Sequence, residues 1–305
     1  MLINPLRYPG SKSAFYRDFR GLFVEMGLTG KQFVEPYAGS ASLSLNLLND
    51  GLVSSVMLFE RDPLVFCFWY ALFKDTDRFL LEIEKLDITL DRWRQFQPLL
   101  RVDTPERDQI IPLALACLFF NRANFSGVLH AGPIGGQSQS SDYSIDCRFN
   151  RKELIRRMRA IALLGERVDI YFGDALRALA DASNESNSNR VFYVDPPYFR
   201  QGKKLYRYFY SLSQHRQLST VLREAPFDWI LSYDKHHVIE FLYEGFNRLD
   251  RRFQYSANRP KKVTELLITN MPAPEGEAAT RSNVVSKGTK FTEASAIVLN
   301  GRSSQ

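Results

Sequence analysis

The chain has 305 residues, 45% hydrophobic and 24% charged, which suits a globular protein with a buried core and excludes a disordered or fibrous one. Forty Lys+Arg against 34 Asp+Glu give a formal charge of +6, compatible with a polyanionic partner but too small to require one. Cys67, Cys117 and Cys147 make no disulfide framework, and no Cys-x-x-Cys pair points to zinc, so core thiols are expected and no metal is called for. The most apolar run, 110–120, contains Pro112 and is too short for a membrane span. The start, Met1-Leu2-Ile3-Asn4-Pro5, lacks the pattern of a signal peptide, so the expectation is a soluble, cytoplasmic protein, taken as a monomer.

In chain order, the first strand is predicted at 32–35, ending at Pro36. A small-residue turn follows, Ala38-Gly39-Ser40-Ala41-Ser42, then a helix with apolar residues at Leu43, Leu45, Leu47 and Leu48. A second strand, 56–59, ends in Glu60, and Arg61-Asp62-Pro63 opens the next helix, where proline is well placed. Further strands are predicted at 168–172, ending at Gly173-Asp174; at 191–194, ending at Asp195; and at 229–232, with a last one at 291–299. Strands alternating with helical patterns predict a doubly wound α/β sheet. Ser42 and Asp195 lie 153 positions apart, whereas three βα units of about 30 residues need roughly 90. The surplus falls in 77–166, which is read as a smaller, mostly helical domain inserted in a main domain of 1–76 and 167–305. Residues 183–189 are expected to form a polar loop and 272–290 to be mobile.

The polar residues gather at the strands' carboxyl ends, where open α/β sheets bind ligands. Asp195-Pro196-Pro197-Tyr198 is the sharpest of these features. Two prolines hold the chain extended and remove two N–H donors, leaving carbonyls and the Asp195 carboxylate as acceptors suited to an exocyclic amino group. Tyr198 offers a flat face for a planar base. The turn from Pro36 and Tyr37 through Gly39 and Ser40 lets a nucleoside approach the backbone closely. Glu60 stands where an acid would accept from ribose hydroxyls, and Asp174, after Phe172, could accept from an adenine amino group. Together they describe an adenosine pocket without the glycine-rich loop of a pyrophosphate site.

These motifs, in this order, resemble the D12 class of adenine-specific DNA methyltransferases, the Dam-like family, over about residues 4 to 270. Asn4 to Lys12 is similar to the family's opening motif, which implies that Tyr8 packs on S-adenosylmethionine and that Lys12 contacts it. The run 33–42 resembles the cofactor motif, which implies cofactor contacts for Pro36, Tyr37, Gly39 and Ser40; Glu60, Phe172, Asp174 and Asp195, at the ends of the following strands, complete the expected cofactor set. Phe119 to Val128 resembles the DNA-recognition segment, 195–198 the catalytic motif, and 261–267 the closing strand. Three departures keep the chemical type: Ala41 for the usual second glycine, Tyr8 for tryptophan and Glu60 for aspartate. The resemblance implies a Rossmann-like methyltransferase fold with an inserted DNA-recognition domain. It also implies methyl transfer from S-adenosylmethionine to N6 of a flipped adenine in double-stranded DNA, with Asp195, Pro196 and Tyr198 as catalytic residues.

Arg148, Arg151, Lys152, Arg156, Arg157 and Arg159 crowd one short stretch, read either as DNA contacts or as a solvated helix face. Arg200, Lys203, Lys204 and Arg207 follow the catalytic motif and suit phosphates beside a flipped base. Asn121 and Arg122 suit adenine and guanine edges, although Arg122 could equally be an internal ion-pair partner. His215, His236 and His237 receive no role. Methylation of cytosine N4 or of an RNA amine, or a catalytically silent DNA-binding relative, stay open as alternatives.

Overall fold

The computed structural model describes residues 2–7, 12, 15–184, 189–200, 202–257 and 259–272, the side chains of 204 and 249–265 excepted. Tyr8, the 291–299 strand and nearly all of the 272–290 segment lie outside the described residues.

Seven strands form one sheet: β1 (Gln32–Glu35), β2 (Val56–Glu60), β3 (Val168–Phe172), β4 (Arg190–Val194), β5 (Asp228–Asp234), β6 (Asn247–Ala257) and β7 (Arg259–Thr269). Their spatial order is β3-β2-β1-β4-β5-β7-β6. The first five pair in parallel, and β7 runs antiparallel between β5 and β6. The order reverses between β1 and β4, so their carboxyl ends flank the crevice where a doubly wound sheet holds its ligand. The five predicted parallel strands are all present. β6 was not anticipated: its Asn-Arg-Leu-Asp-Arg-Arg start shows no apolar run, and among the described residues it lies at the sheet edge, paired with β7.

The helices are α1 (Tyr16–Glu25), α2 (Ser42–Asn49), α3 (Pro63–Lys74), α4 (Thr76–Lys85), α5 (Leu90–Phe96), α6 (Ile110–Ala123), α7 (Arg151–Ala162), α8 (Ala175–Ala182), α9 (Gly202–Leu205), α10 (Leu212–Glu224) and α11 (His237–Leu242). Their starts follow local chemistry. Asp62 caps α3, with Pro63 in the first turn, and Asp174 caps α8. Ser211 and Gln214 form a reciprocal box at α10.

Alternation along the strands builds one core on each face. Phe33, Tyr193, Ile230 and Leu267 belong to the larger core, shared with α1, α2 and α3, and Val34, Phe192, Val194, Trp229, Leu231 and Ile268 to the smaller, with α8, α10 and α11. The 77–166 segment is helical at α4 to α7, with no helix or strand from 128 to 150. Its apolar residues join the larger core: Phe79 from α4, Leu113, Cys117 and Phe120 from α6, and Met158 from α7. It has no core of its own, because α6 packs on α3. Cys67 and Cys117 are core thiols, whereas Cys147 is exposed.

Candidate active site

A cavity of about 370 Å³ opens at the carboxyl ends of β1, β2 and β4, within the size range of small-molecule sites. Glu35 and Glu60 end β1 and β2; Asp174 and Asp195 follow β3 and β4, and all four carboxylates line it. The β1–α2 turn forms its floor with Pro36, Tyr37, Gly39 and Ser40. Gly39 has φ +46° and Ala41 φ +48°. Both lie in the left-handed region, which explains why glycine is usual at either position and why Ala41 holds its place under mild strain.

Glu60 fixes this turn. One carboxylate oxygen accepts the Gly39 N–H at 2.8 Å and the other the Asp62 N–H at 2.7 Å, while the Gly39 carbonyl accepts the Trp69 indole N–H at 2.8 Å. Burial, with Asp62 close by, pushes the Glu60 carboxyl up to about 7. Glu35 is buried more deeply and accepts from the Ser44 hydroxyl; burial pushes it up to about 8. Asp174 spends Oδ1 on capping α8 through the Leu176 N–H at 2.9 Å. Phe172 does not line the cavity; it packs on Phe66, with Arg61 over its ring.

At the β4 end, Lys12 and Asp195 form an ion pair at 2.8 Å, their side chains 4% and 19% exposed. The Ser232 hydroxyl, from β5, donates to Asp195 at 2.6 Å and itself accepts from Tyr193 at 2.9 Å. Lys12 also reaches the Tyr198 hydroxyl at 3.4 Å and lies 5.3 Å from that ring's centre. Two residues further along, at the end of β5, Asp234 accepts the backbone N–H groups of Phe199 and Arg200 at 2.9 and 3.3 Å. The 195–200 segment is thus held by side chains from the N-terminal segment and from β5. Sequence reasoning missed Ser232 and Asp234, although two polar residues in the otherwise apolar Trp229–Asp234 run marked the place. It also missed the wall formed by Tyr206 to Tyr210, whose signal was four aromatics in five positions.

Several expected DNA contacts are corrected by their surroundings. Asn121 is buried: its Oδ1 accepts the Arg7 N–H at 2.7 Å, and its amide donates to the Arg7 and Gly127 carbonyls, both at 3.1 Å. Arg122 is buried and donates to the Pro5 carbonyl. Both side chains tie the N-terminal segment to α6 rather than facing a base. Gly127, with φ +77°, lies against Arg7 with no room for a Cβ. Arg151 donates to the carbonyls of Ile83 and Leu86, satisfying the end of α4. Arg156 and Arg157 both pair with Glu153, at 2.7 and 2.6 Å. Arg207, half-buried, pairs with the buried Asp62 at 2.7 Å. Arg148, Lys152, Arg200 and Lys203 are exposed; the side chain of Lys204 lies outside the description. His215 does have a partner, the Tyr233 hydroxyl at 2.5 Å from Nδ1, and burial lowers its pKa to about 4.

A doubly wound sheet closed by an antiparallel last strand, with an acid-lined cavity at its switch point, defines the Rossmann-like class of S-adenosylmethionine-dependent methyltransferases. Within that class the chain belongs to the D12 class N6 adenine-specific DNA methyltransferase family, which it matches over residues 8–257. It is accordingly an adenine-specific DNA methyltransferase with S-adenosylmethionine as cofactor. Among solved structures it is similar to the rRNA methyltransferase AviRa of Streptomyces viridochromogenes (14% identity over 86% of each chain, TM-score 0.40). It is also similar to an S-adenosylmethionine-dependent methyltransferase of Neisseria gonorrhoeae (13% identity, 89% of this chain and 75% of that one, TM-score 0.36). No curated protein matches the chain. Among the described residues no helix is long and apolar enough to cross a membrane.

Proposed function

We propose that the enzyme methylates N6 of an adenine flipped out of a specific site in double-stranded DNA, with Asp195 as the residue that receives the amino group. The observation that carries this reading is the braced carboxylate itself. Asp195 stands at the cavity's edge beside two residues that lack N–H donors, fixed by Lys12 and Ser232. The pocket fits the cofactor chemically: its acidic lining, with Asp174 and Asp195 beside Glu60, disfavours a phosphorylated nucleoside relative to a cationic one. Glu60 and the Gly39 turn would hold the ribose end, and Lys12 and Asp195 the end nearer the reaction. When bound, S-adenosylmethionine supplies an electrophilic methyl group, so no covalent enzyme intermediate is needed.

Asp195 and the Pro196 carbonyl accept the two amino hydrogens and favour the positive charge that grows on nitrogen. Tyr198 stacks on the base and holds the nitrogen in line. Because the pocket is recessed, the target base must leave the duplex to reach it. Phe125, 72% exposed at a tight turn where Ser126 has φ +56°, is the side chain suited to fill the vacated stack. Arg148, Lys152, Arg200 and Lys203 are the exposed cations suited to phosphates.

The test is to methylate a genome lacking adenine methylation and map the modified positions by single-molecule sequencing. N6-methyladenine confined to one short duplex motif is expected. Modification scattered without a motif, or confined to single strands, would overturn the site-specific duplex reading.

A further inference from the structure

The wall of the cofactor cavity opposite the β1–α2 turn is the segment 206–210, between α9 and α10, and it has neither helix nor strand. Of its backbone groups, the Tyr206 N–H bonds the Gly202 carbonyl at 3.0 Å; the described side-chain anchors do the rest. Arg207 anchors the segment at two points. One guanidinium nitrogen donates to Asp62 at 2.7 Å and another to the Leu100 carbonyl at 2.5 Å. The ion pair is enclosed, with side-chain exposures of 11% and 9%. Tyr208 donates to Asp103 at 2.9 Å and stacks under Arg61 at 4.7 Å. Tyr210 meets the Tyr37 hydroxyl at 2.9 Å.

The partners of these anchors belong to two different places. Asp62 and Tyr37 sit on the cofactor side: the Asp62 N–H is held by Glu60, whose other oxygen holds Gly39. Leu100 and Asp103 belong to the 77–166 segment. Arg207 reaches both with its two arms, as a forked guanidinium can where a single ammonium cannot.

We propose that Arg207 is a positioning residue that closes the cofactor pocket with the 206–210 segment and couples its occupancy to residues 97–103. A nucleoside pressing on this wall acts on Arg207, and Arg207 transmits to the Leu100 carbonyl through a rigid fork. Occupancy of the pocket and order in 97–103 then share a coupling free energy. The inference rests on the cofactor pocket, not on the DNA reading.

The test uses the full chain and S-adenosylhomocysteine, titrated by calorimetry, with hydrogen exchange read over 97–103. In the wild type the ligand should slow exchange in 97–103. Arg207→Lys keeps the charge beside Asp62 and loses the second arm. It should weaken binding by about 5- to 20-fold, in the range of ordinary coupling energies, and abolish the slowing in 97–103. In methyl transfer, KM for the cofactor should rise more than kcat falls. Tyr208→Phe removes the Asp103 link alone and should diminish the exchange effect with a smaller loss of affinity; it carries the test if Arg207→Lys does not fold. Wild-type affinity in Arg207→Lys, or exchange in 97–103 that is indifferent to the ligand in the wild type, would overturn the proposal.

Discussion

The cleft edge of the sheet and the outer face of α7 are both dense in charge, and they use it in opposite ways. At the cleft, each charged group is enclosed and has designated partners: Lys12 with Asp195, Arg207 with Asp62, Glu60 with two backbone N–H groups. On α7, Arg151 aside, the cations lie in solvent or share one half-buried acid, Glu153, whose carboxyl is held down at about 2 by Arg156 and Arg157. Enclosed charges must be matched one by one, since an unmatched charge is costly. They therefore define geometry, which is what methyl transfer needs. Exposed charges define only a field, which suits a polyanion that must be found and released.

This contrast can be broken at several points. The largest effect on folding is expected at Asn121. Asn121→Ala would strand backbone groups of Arg7 and Gly127 and should cost about 2–4 kcal/mol, visible as a lower melting temperature. A normal melting temperature with a lost base preference would return Asn121 to DNA readout. Next comes Ser232→Ala, which removes one donor from Asp195. It should slow kcat by about 10- to 100-fold, the worth of a hydrogen bond to a charged group, with cofactor affinity nearly kept; an unchanged kcat would mean that Lys12 alone braces the carboxylate.

Glu35 gives a pH signature. Its carboxyl is raised from 4.5 to about 8 by burial, so the folded state binds its proton more tightly than the unfolded state. The stability linked to that proton is complete below pH 4.5 and lost as pH rises through about 8. Glu35→Gln, which keeps an acceptor for Ser44, should gain on the wild type over that window, on the order of 5 kcal/mol at its upper end. A melting-temperature difference that stays flat with pH would contradict the buried-acid account. The smallest effect on folding belongs to the exposed cations. Gln at Arg148, Lys152 and Lys203 should change stability by less than about 0.5 kcal/mol. For each lost phosphate contact, the slope of log affinity against log salt should fall by about 0.9. If stability drops while the salt slope stays, these residues are structural.

The unequal legibility of the chain follows from the same contrast. Parallel strands leave short apolar runs with sharp ends, or at the edge strand 168–172 a clean alternation, so 32–35, 56–59, 168–172, 191–194 and 229–232 could be read directly, and with them the acids at their tips. β6, polar and at the edge, carries no such run. Asp195 and Glu60 were legible because a motif or a strand end points at them. Ser232, Asp234 and Asp62 were not, because each acts on a group from another part of the chain, and only the fold brings them together. The basic residues misled for a related reason: Arg122, Arg151 and Arg207 look like Arg148 and Lys152 in sequence, and burial alone separates them. The 77–166 segment reads as an insertion by length, and its apolar helices join the larger core.

The central claim is that Asp195 receives the amino group of adenine. Its most direct test is to incubate unmethylated genomic DNA with S-adenosylmethionine and wild-type or Asp195→Ala enzyme, then digest the DNA to nucleosides for mass spectrometry. The account predicts N6-methyladenine with the wild type and, with Asp195→Ala, a yield lower by about a hundredfold or more, the scale of losing a group that stabilises developing charge. N6-methyladenine formed undiminished by Asp195→Ala, or methylated cytosine in its place, would contradict it.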